Sequence, residues 1–409
     1  MSVTRRELFS RIRSGGLGTT VPADGLALAA RGHEEESVAA LLGDVPQGRG
    51  GTGAGAAQAG TPSIKLSSNE NPVGPGPKVL DAIRGQFGQA MRYPFNSSPT
   101  EGALIETLAS VNKVKPENIA LGAGSQELLK VAVWAYTSPA RHLVTATPTF
   151  ENATSTARRM GHPVVEIKVD GQFRLNLEGM VAVSRGAGLV FVNNPNNPTA
   201  TVHSAAAITD FVERVRRISP DTVILIDEAY HEYVTDPSYA TAVPLALSMP
   251  NVFVARTFSK AYGMAGMRIG YAIGQPDTVR PLSRLALPFN MSVLGIVAGI
   301  TAVGDPAHMA AERSRNTAAR DFTQKALEEL GCKCTVSQTN FLFADIGRTA
   351  AEFRSACGQR GIQVGRDFPP FERSHARISI GTMEEMQKAV AVFREVLNPA
   401  NAAGGGGVA

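Results

Sequence analysis

The sequence predicts an α/β protein: a doubly wound, mostly parallel seven-stranded sheet with a smaller α+β domain behind it. Three observations carry that expectation. Between about residues 119 and 275, short β-rich runs alternate with helical stretches, the order of repeated strand–helix–strand units. Several of these runs are apolar throughout instead of at every second position, as strands are when helices cover both faces of a sheet. After Leu285 the alternation gives way to a long helical stretch, two further strand-like runs and a terminal helix.

Taken in order, the first 62 residues stand apart from the rest. Thr4-Arg5-Arg6-Glu7-Leu8-Phe9 has the form of a twin-arginine export signal, and Ala27-Leu28-Ala29 could precede a cleavage site. The competing reading is an amphipathic helix carrying Leu8 and Ile12. A cytoplasmic enzyme is expected, with periplasmic export by the twin-arginine route as the alternative. Residues 43–62, rich in Gly, Ala and Gln, read as a linker, and Gly404-Gly405-Gly406-Gly407 as part of a frayed tail over 401–409. The folded part is expected to start near Ile64. It divides into an arm over 63–92 that contributes to the small domain, a large domain over 93–290, and the small domain over 291–400.

The expected strands of the large domain are Ile119–Gly122, Leu143–Ala146, Val164–Ile167, Leu189–Val192, Val223–Ile226, Val252–Ala255 and Ile269–Ala272. Gln126–Tyr136 and Ala205–Ile218 read as covering helices. Beyond them a helix is expected from about Val293 to Leu330, then strands Asn340–Ala344 and Ala376–Ile380, then a helix from Met383 to Leu397.

Composition limits the function classes. A hydrophobic content of 43% and a charged content of 19% describe a globular protein. No run of about 18 or more uncharged apolar residues argues for a membrane span. The net charge of +4 draws on Arg5, Arg6, Arg11 and Arg13, so no nucleic-acid footprint is indicated. Cys332, Cys334 and Cys357 offer neither a disulfide framework nor a four-ligand zinc spacing, and no metal is expected. Cys332-Lys333-Cys334 reads as a strand edge. His142, His231 and His375 read as packing or surface residues.

The chemistry concentrates around Lys260. It lies in Thr257-Phe258-Ser259-Lys260, eight residues before Arg268 and downstream of a strand that closes on Asp227-Glu228-Ala229-Tyr230. The set supplies an amine, a carboxylate, a phenol, two hydroxyls and a guanidinium, the partners that a pyridoxal phosphate Schiff base requires. Asp227, at the end of an apolar strand, can keep a pyridine nitrogen protonated. Taken alone it reads equally well as a strand-end carboxylate capping the next turn. Tyr230 can donate to the cofactor's phenolate oxygen, and Asn197, in Asn193-Asn194-Pro195-Asn196-Asn197-Pro198-Thr199, could share that oxygen. Gly122-Ala123-Gly124-Ser125-Gln126 ends a strand and opens a helix, which aims free N–H groups at an anion. Thr257, Ser259 and Arg268 add hydroxyls and a bidentate cation for a phosphate. Phe150, after Thr147-Pro148-Thr149, could stack on a ring or sit in the core.

These blocks, together with Asn69-Glu70-Asn71-Pro72 and the run from Lys260 through Gly266-Met267-Arg268-Ile269-Gly270-Tyr271, resemble the fold-type I pyridoxal phosphate enzymes. More narrowly they resemble the class II aminotransferases of the histidinol-phosphate aminotransferase branch. The likeness runs from about residue 64 to 398. It implies that Lys260 carries the cofactor aldehyde, Asp227 faces the pyridinium, and Tyr230 and Asn197 share the phenolate. Gly124, Ser125, Gln126, Thr257, Ser259 and Arg268 would hold the phosphate, with Phe150 stacked on the ring. Tyr93, in Arg92-Tyr93-Pro94, matches a tyrosine that reaches the neighbouring subunit's cofactor, so a homodimer with shared sites is implied. Arg377, in Ala376-Arg377-Ile378-Ser379, matches the arginine that grips the substrate carboxylate, and Asn71 is expected among the substrate contacts.

Two positions depart from the pattern. Ala200 stands where the family usually has Gly after Asn-Pro-Thr, which demands a less extreme backbone there. Val73 replaces a tyrosine that helps hold a substrate phosphate in that branch, and Arg366 could serve a distal anion instead. The implied reaction transfers an amino group from an amino acid or amino alcohol phosphate to a 2-oxo acid such as 2-oxoglutarate. Decarboxylation, β-elimination and oxygen-dependent oxidation use the same cofactor set. A non-catalytic effector-binding domain would need a DNA-binding module ahead of it, and sixty-odd residues, much of them Gly/Ala linker, leave little room for one.

Overall fold

A computed structural model describes residues 63–398 of the chain. The twin-arginine-like motif, the 43–62 linker and the 401–409 tail lie outside the described residues. The strands, in order, are β1 (Ile64–Leu66), β2 (Ile119–Ala123), β3 (Leu143–Thr147), β4 (Val164–Lys168), β5 (Leu189–Asn193), β6 (Val223–Asp227), β7 (Val252–Thr257), β8 (Ile269–Gly274), β9 (Lys333–Cys334), β10 (Phe341–Asp345), β11 (Ile362–Val364) and β12 (His375–Ser379).

All seven strands expected of the large sheet form, in the order β2-β8-β7-β6-β5-β3-β4. Every pairing from β7 to β4 is parallel, and only β8 runs against its neighbours β2 and β7. Strands β5, β6 and β7 are buried at every position. The pleat then sorts their side chains onto two faces. Val190, Val192, Ile224, Ile226, Val252 and Val254 enter one hydrophobic cluster, while Leu189, Phe191, Val223, Leu225, Phe253 and Ala255 enter another. Continuous apolar runs are what such a doubly covered sheet needs. The helix Ala205–Ile218 shows the complementary pattern: Ile208, Phe211, Val212 and Val215 face the sheet, and the Ser204 hydroxyl caps its first turn.

The single helix expected over 293–330 is two, Val293–Val303 and Pro306–Glu329, bent by 82°. Gly304 and Pro306 explain the break, because proline has no N–H to donate and fits only the first turn of the new helix. The first piece packs its apolar side into the large cluster through Val293, Ile296 and Ala298. The second packs Ala319, Ala326 and Leu327 into the smaller one. No single helix among the described residues is long and apolar enough to cross a membrane.

The smaller cluster is covered by a three-stranded sheet, β12-β10-β9, and by helices Ala350–Gly358 and Met383–Leu397. Cys334 lies on the edge strand β9 of that sheet. β1 pairs in parallel with β11, Ile64 opposite Ile362, so the start of the folded chain belongs to the smaller part. The helix that follows, Pro77–Gln86, instead buries Val79 and Ile83 in the large cluster.

Candidate active site

Sheet order brings the strand ends that carry Asp227, Thr257, Gly124 and Arg268 to one end of the large sheet. Asn193 and Asp227 stand opposite each other at the carboxyl ends of β5 and β6, and Asp227 is opposite Ala255, two positions before Thr257 closes β7. Because β8 is antiparallel, its beginning lies at that same end: Thr257 faces Gly270, and Ala123 of β2 faces Ile269. Arg268 is thereby delivered beside Gly124 and Ser259, at the crevice where open α/β sheets bind ligands.

Asp227 is 2% exposed, and burial pushes its carboxyl up to about 7 against the pull of the Ala229 amide. Its Oδ1 has no hydrogen-bond partner. A buried, unpartnered carboxylate oxygen is costly unless a cationic donor meets it. Behind it, Glu228 and Arg256 form a buried pair at 2.9 Å, and Glu228 also accepts from Thr241 and from the Ala242 amide. The pair ties β6 to β7 one residue away from Asp227 and from Thr257.

Lys260 has its ammonium brought down to about 8, first by burial and then by Arg377, against Glu70 and Asp227. Its Nζ donates to the Ser68 carbonyl at 3.2 Å and lies 5.8 Å from the Tyr230 ring centroid. Tyr230 is buried, its phenol pushed up to about 12 by desolvation, and its oxygen accepts from Asn69 Nδ2 at 3.2 Å.

At the anion end, Arg268 Nη1 donates to Ala265 O at 2.8 Å and to Ser259 Oγ at 3.4 Å, while Nη2 donates to Ala123 O at 3.2 Å. The Thr257 hydroxyl donates to Ser259 Oγ at 2.9 Å. Gly124, at φ 76°, caps the helix Ser125–Tyr136, whose first amides are free of helical partners. A Cβ on Gly124 would collide with the Arg268 guanidinium, and one on Gly270 with the Ser125 amide. Phe150 is half-buried against the outer sheet cluster. Its loop is tied to the 193–199 loop by Thr149, which donates to Asn196 Oδ1 at 2.7 Å.

Arg377, expected to grip a substrate carboxylate, is buried, and desolvation brings it down to about 10. It donates to Asn197 Oδ1 at 2.7 Å and to Ser67 O at 2.6 Å, while its Nε has no partner. Arg377 and Arg366 lie 4.7 Å and 4.4 Å from the Phe368 ring centroid. Arg366 is paired with Glu151. Asn71 is engaged by backbone on both sides, donating to Ala261 O and accepting from the Val73 amide, each at 3.0 Å. Ala200 corrects the sequence expectation: it holds a left-handed φ of 63°, fully buried, fixed by amide bonds to Asn196 O and from Gln338.

Tyr93 is the outlier. It is 63% exposed and contacts Phe95 and Phe289, with ring centroids 5.8 and 5.3 Å away. No hydrogen bond or ring contact joins it to the other predicted residues.

Sequence reasoning marked Asn69-Glu70-Asn71-Pro72 but gave no role to Ser67, Ser68 or Asn69, which reach across the site. Ser67 and Ser68 offer their carbonyls to Arg377 and Lys260, and Asn69 its amide to Tyr230. The available signal was five successive polar residues, 67–71, placed directly after a strand.

The residues present fit pyridoxal phosphate: the unpartnered Asp227 oxygen suits a pyridinium, and the Gly124–Ser125–Arg268 cradle suits a phosphate. Residues 61–393 match the family model for aminotransferase class I and II. The chain is 35% identical over 336 residues to a histidinol-phosphate aminotransferase of Moorella thermoacetica, covering 82% of this chain and 85% of the relative. It is 35% identical over 339 residues to one from an Anaeromyxobacter species, covering 81% and 90%. Among solved structures, a putative histidinol-phosphate aminotransferase from Erwinia carotovora atroseptica superposes with a TM-score of 0.77 at 31% identity, over 81% of this chain and 95% of that one. The Sinorhizobium meliloti histidinol-phosphate aminotransferase, solved with pyridoxal 5'-phosphate, gives 0.74 at 29%, over 82% and 91%. Strand order, site chemistry and sequence likeness agree: the chain belongs to the class I and II aminotransferases and is a pyridoxal 5'-phosphate-dependent enzyme.

Proposed function

We propose that this aminotransferase moves an amino group between a 2-oxo acid such as 2-oxoglutarate and an anionic donor, either an amino acid of aromatic type or a phosphorylated amino alcohol of histidinol-phosphate type. The observation that carries the substrate reading is the pair of guanidinium groups, Arg377 and Arg366, around Phe368. Two cations so placed suit the two carboxylates of 2-oxoglutarate, and either one suits the single carboxylate or phosphate of the donor. The names of the 35%-identical relatives support the phosphorylated member of that class. Asn71 would border the same pocket.

When bound, pyridoxal phosphate supplies an electron sink for a carbanion beside the transferred nitrogen. Asp227 would hold its ring nitrogen, Tyr230 and Asn197 its phenolic oxygen, and Phe150 its ring face. Gly124, Ser125, Gln126, Thr257, Ser259 and Arg268 would hold its phosphate. Lys260 would hold the aldehyde carbon until the donor's amine takes its place there, and the freed lysine amine would then work as the base. With a pKa near 8 its Nζ can take the donor's α-proton and give one back. Arg377 orients the donor so that this proton faces Nζ.

Two copies of the chain form the working unit in this reading. Tyr93, Phe95 and Phe289 make an exposed ring cluster, with Met91 and Leu287, each two positions along the chain from a ring, exposed as well, and a second copy is its proposed cover. Sedimentation of the purified protein at twice the chain mass is the expected result; a monomer that turns over normally would remove Tyr93 from the site.

The test of function is a donor panel, with histidinol phosphate and aromatic amino acids first, against 2-oxoglutarate. One glutamate formed per donor consumed supports the proposal. Release of carbon dioxide, ammonia or peroxide in place of glutamate, or no transfer from any anionic donor, overturns it.

A further inference from the structure

Asn69 is 1% exposed and sits at φ 55°, a left-handed conformation that asparagine tolerates better than most residues. Its surroundings fix which end of its amide points where. The Asn69 backbone N–H donates to Ser379 Oγ at 2.8 Å, so the hydroxyl proton of Ser379 is left to donate to Asn69 Oδ1, at 2.7 Å. Oδ1 is therefore the acceptor, and Nδ2 is the end that meets the Tyr230 oxygen at 3.2 Å. Asn340 Nδ2 donates to the Asn69 carbonyl at 3.0 Å and completes the clamp.

The consequence falls on Tyr230. With Nδ2–H on its oxygen, Tyr230 has no reason to turn its own proton toward Asn69 and must donate elsewhere. The charged groups around it are Asp227, Arg377 and Lys260, and the edge of Phe341 packs on its ring. We propose that Asn69 is a positioning residue: anchored by Ser379 and Asn340 of the smaller part, it directs the Tyr230 hydroxyl proton at the phenolic oxygen of bound pyridoxal phosphate. This rests on Tyr230 serving that oxygen, as argued above.

The experiment is a double-mutant cycle on the holoenzyme, read by the pH midpoint of the bound cofactor's visible absorbance and by cofactor affinity. Tyr230→Phe alone tests the underlying role and should raise the midpoint. Asn69→Gly removes the amide without penalising a positive φ. It should raise the midpoint by about half a unit to one unit, the worth of one hydrogen bond, and weaken cofactor binding several-fold. Asn69→Asp keeps the Ser379 contact but replaces the donor with an acceptor that draws the Tyr230 proton away, so its shift should exceed that of Asn69→Gly. Neither variant should move the midpoint further in the Tyr230→Phe background. Should Asn69 variants fail to fold, Ser379→Ala, which frees the amide to flip, should give a smaller shift of the same sign. If Tyr230→Phe moves the midpoint and the Asn69 and Ser379 variants do not, or if they act equally without Tyr230, the positioning role is wrong while the site assignment stands. If Tyr230→Phe itself has no effect, both fall.

Discussion

The Arg268 guanidinium occupies the space where a side chain on Gly124 would begin. Gly124 also holds φ 76°, so both space and backbone conformation demand glycine at the mouth of the helix Ser125–Tyr136. The helix amides and the arginine can converge on one anion only because that position has no Cβ. Replacing Gly124 with Ala should displace Arg268 and weaken pyridoxal phosphate binding about 10- to 100-fold, the worth of a charge-assisted contact. Titration of cofactor into the stripped protein measures it, and unaltered affinity would deny the cradle.

Asp227 makes a prediction of opposite sign for stability and activity. Burial raises its carboxyl to about 7 in the folded chain, above the ordinary carboxylate value. Below that ordinary value both folded and unfolded chains hold the proton. As pH rises from about 4 toward 7, the unfolded chain ionises first and the cofactor-free protein loses stability. Asp227→Asn should therefore melt above wild type near pH 8 when stripped of cofactor, and alike near pH 4. Its transamination should fall about 100-fold or more, since an amide cannot hold a pyridinium charge.

Lys260 has its ammonium lowered to about 8, so its neutral, nucleophilic form accumulates as pH passes that value. The rate at which stripped protein captures pyridoxal phosphate should climb through a midpoint near 8 and then level off. Stopped-flow absorbance follows this directly. Lys260→Ala should show no such phase, and a flat profile in the wild type would place the amine elsewhere.

Arg377→Lys should not rescue Arg377→Ala. The guanidinium serves Asn197 and Ser67 at once and keeps Nε for another partner, a fork that an ammonium cannot reproduce. Both variants should lose about 10- to 100-fold in kcat/KM for carboxylate donors. Wild-type kinetics in the lysine variant would argue that the charge alone matters.

What could be read beforehand follows from the range of the forces involved. Strands β5 to β7 were legible because burial on two faces leaves an apolar run with few alternatives. Lys260, Asp227 and Arg268 were legible because each sits at a strand end whose place in the sheet the pattern implied. The Ser67–Asn69 segment was not, because its partners Ser379, Arg377 and Asn340 lie some 270 to 310 positions away. Ala200 misled for a similar reason: local steric cost argues against a positive φ, but the Asn196 and Gln338 bonds hold it there. At Gly304–Pro306 the break was written locally, but helix-forming stretches on both sides masked the signal.

The pairing of Ile64 with Ile362 also sets an order of assembly. While the ribosome is still making the large sheet, the strand that leads into Ser67–Asn69 has nothing to pair with. Lys260 and Asp227 can be in place long before the residues that hold Tyr230 and Arg377. A nascent chain thus gains its full grip on the vitamin only when its last quarter has been synthesised and folded back onto its beginning.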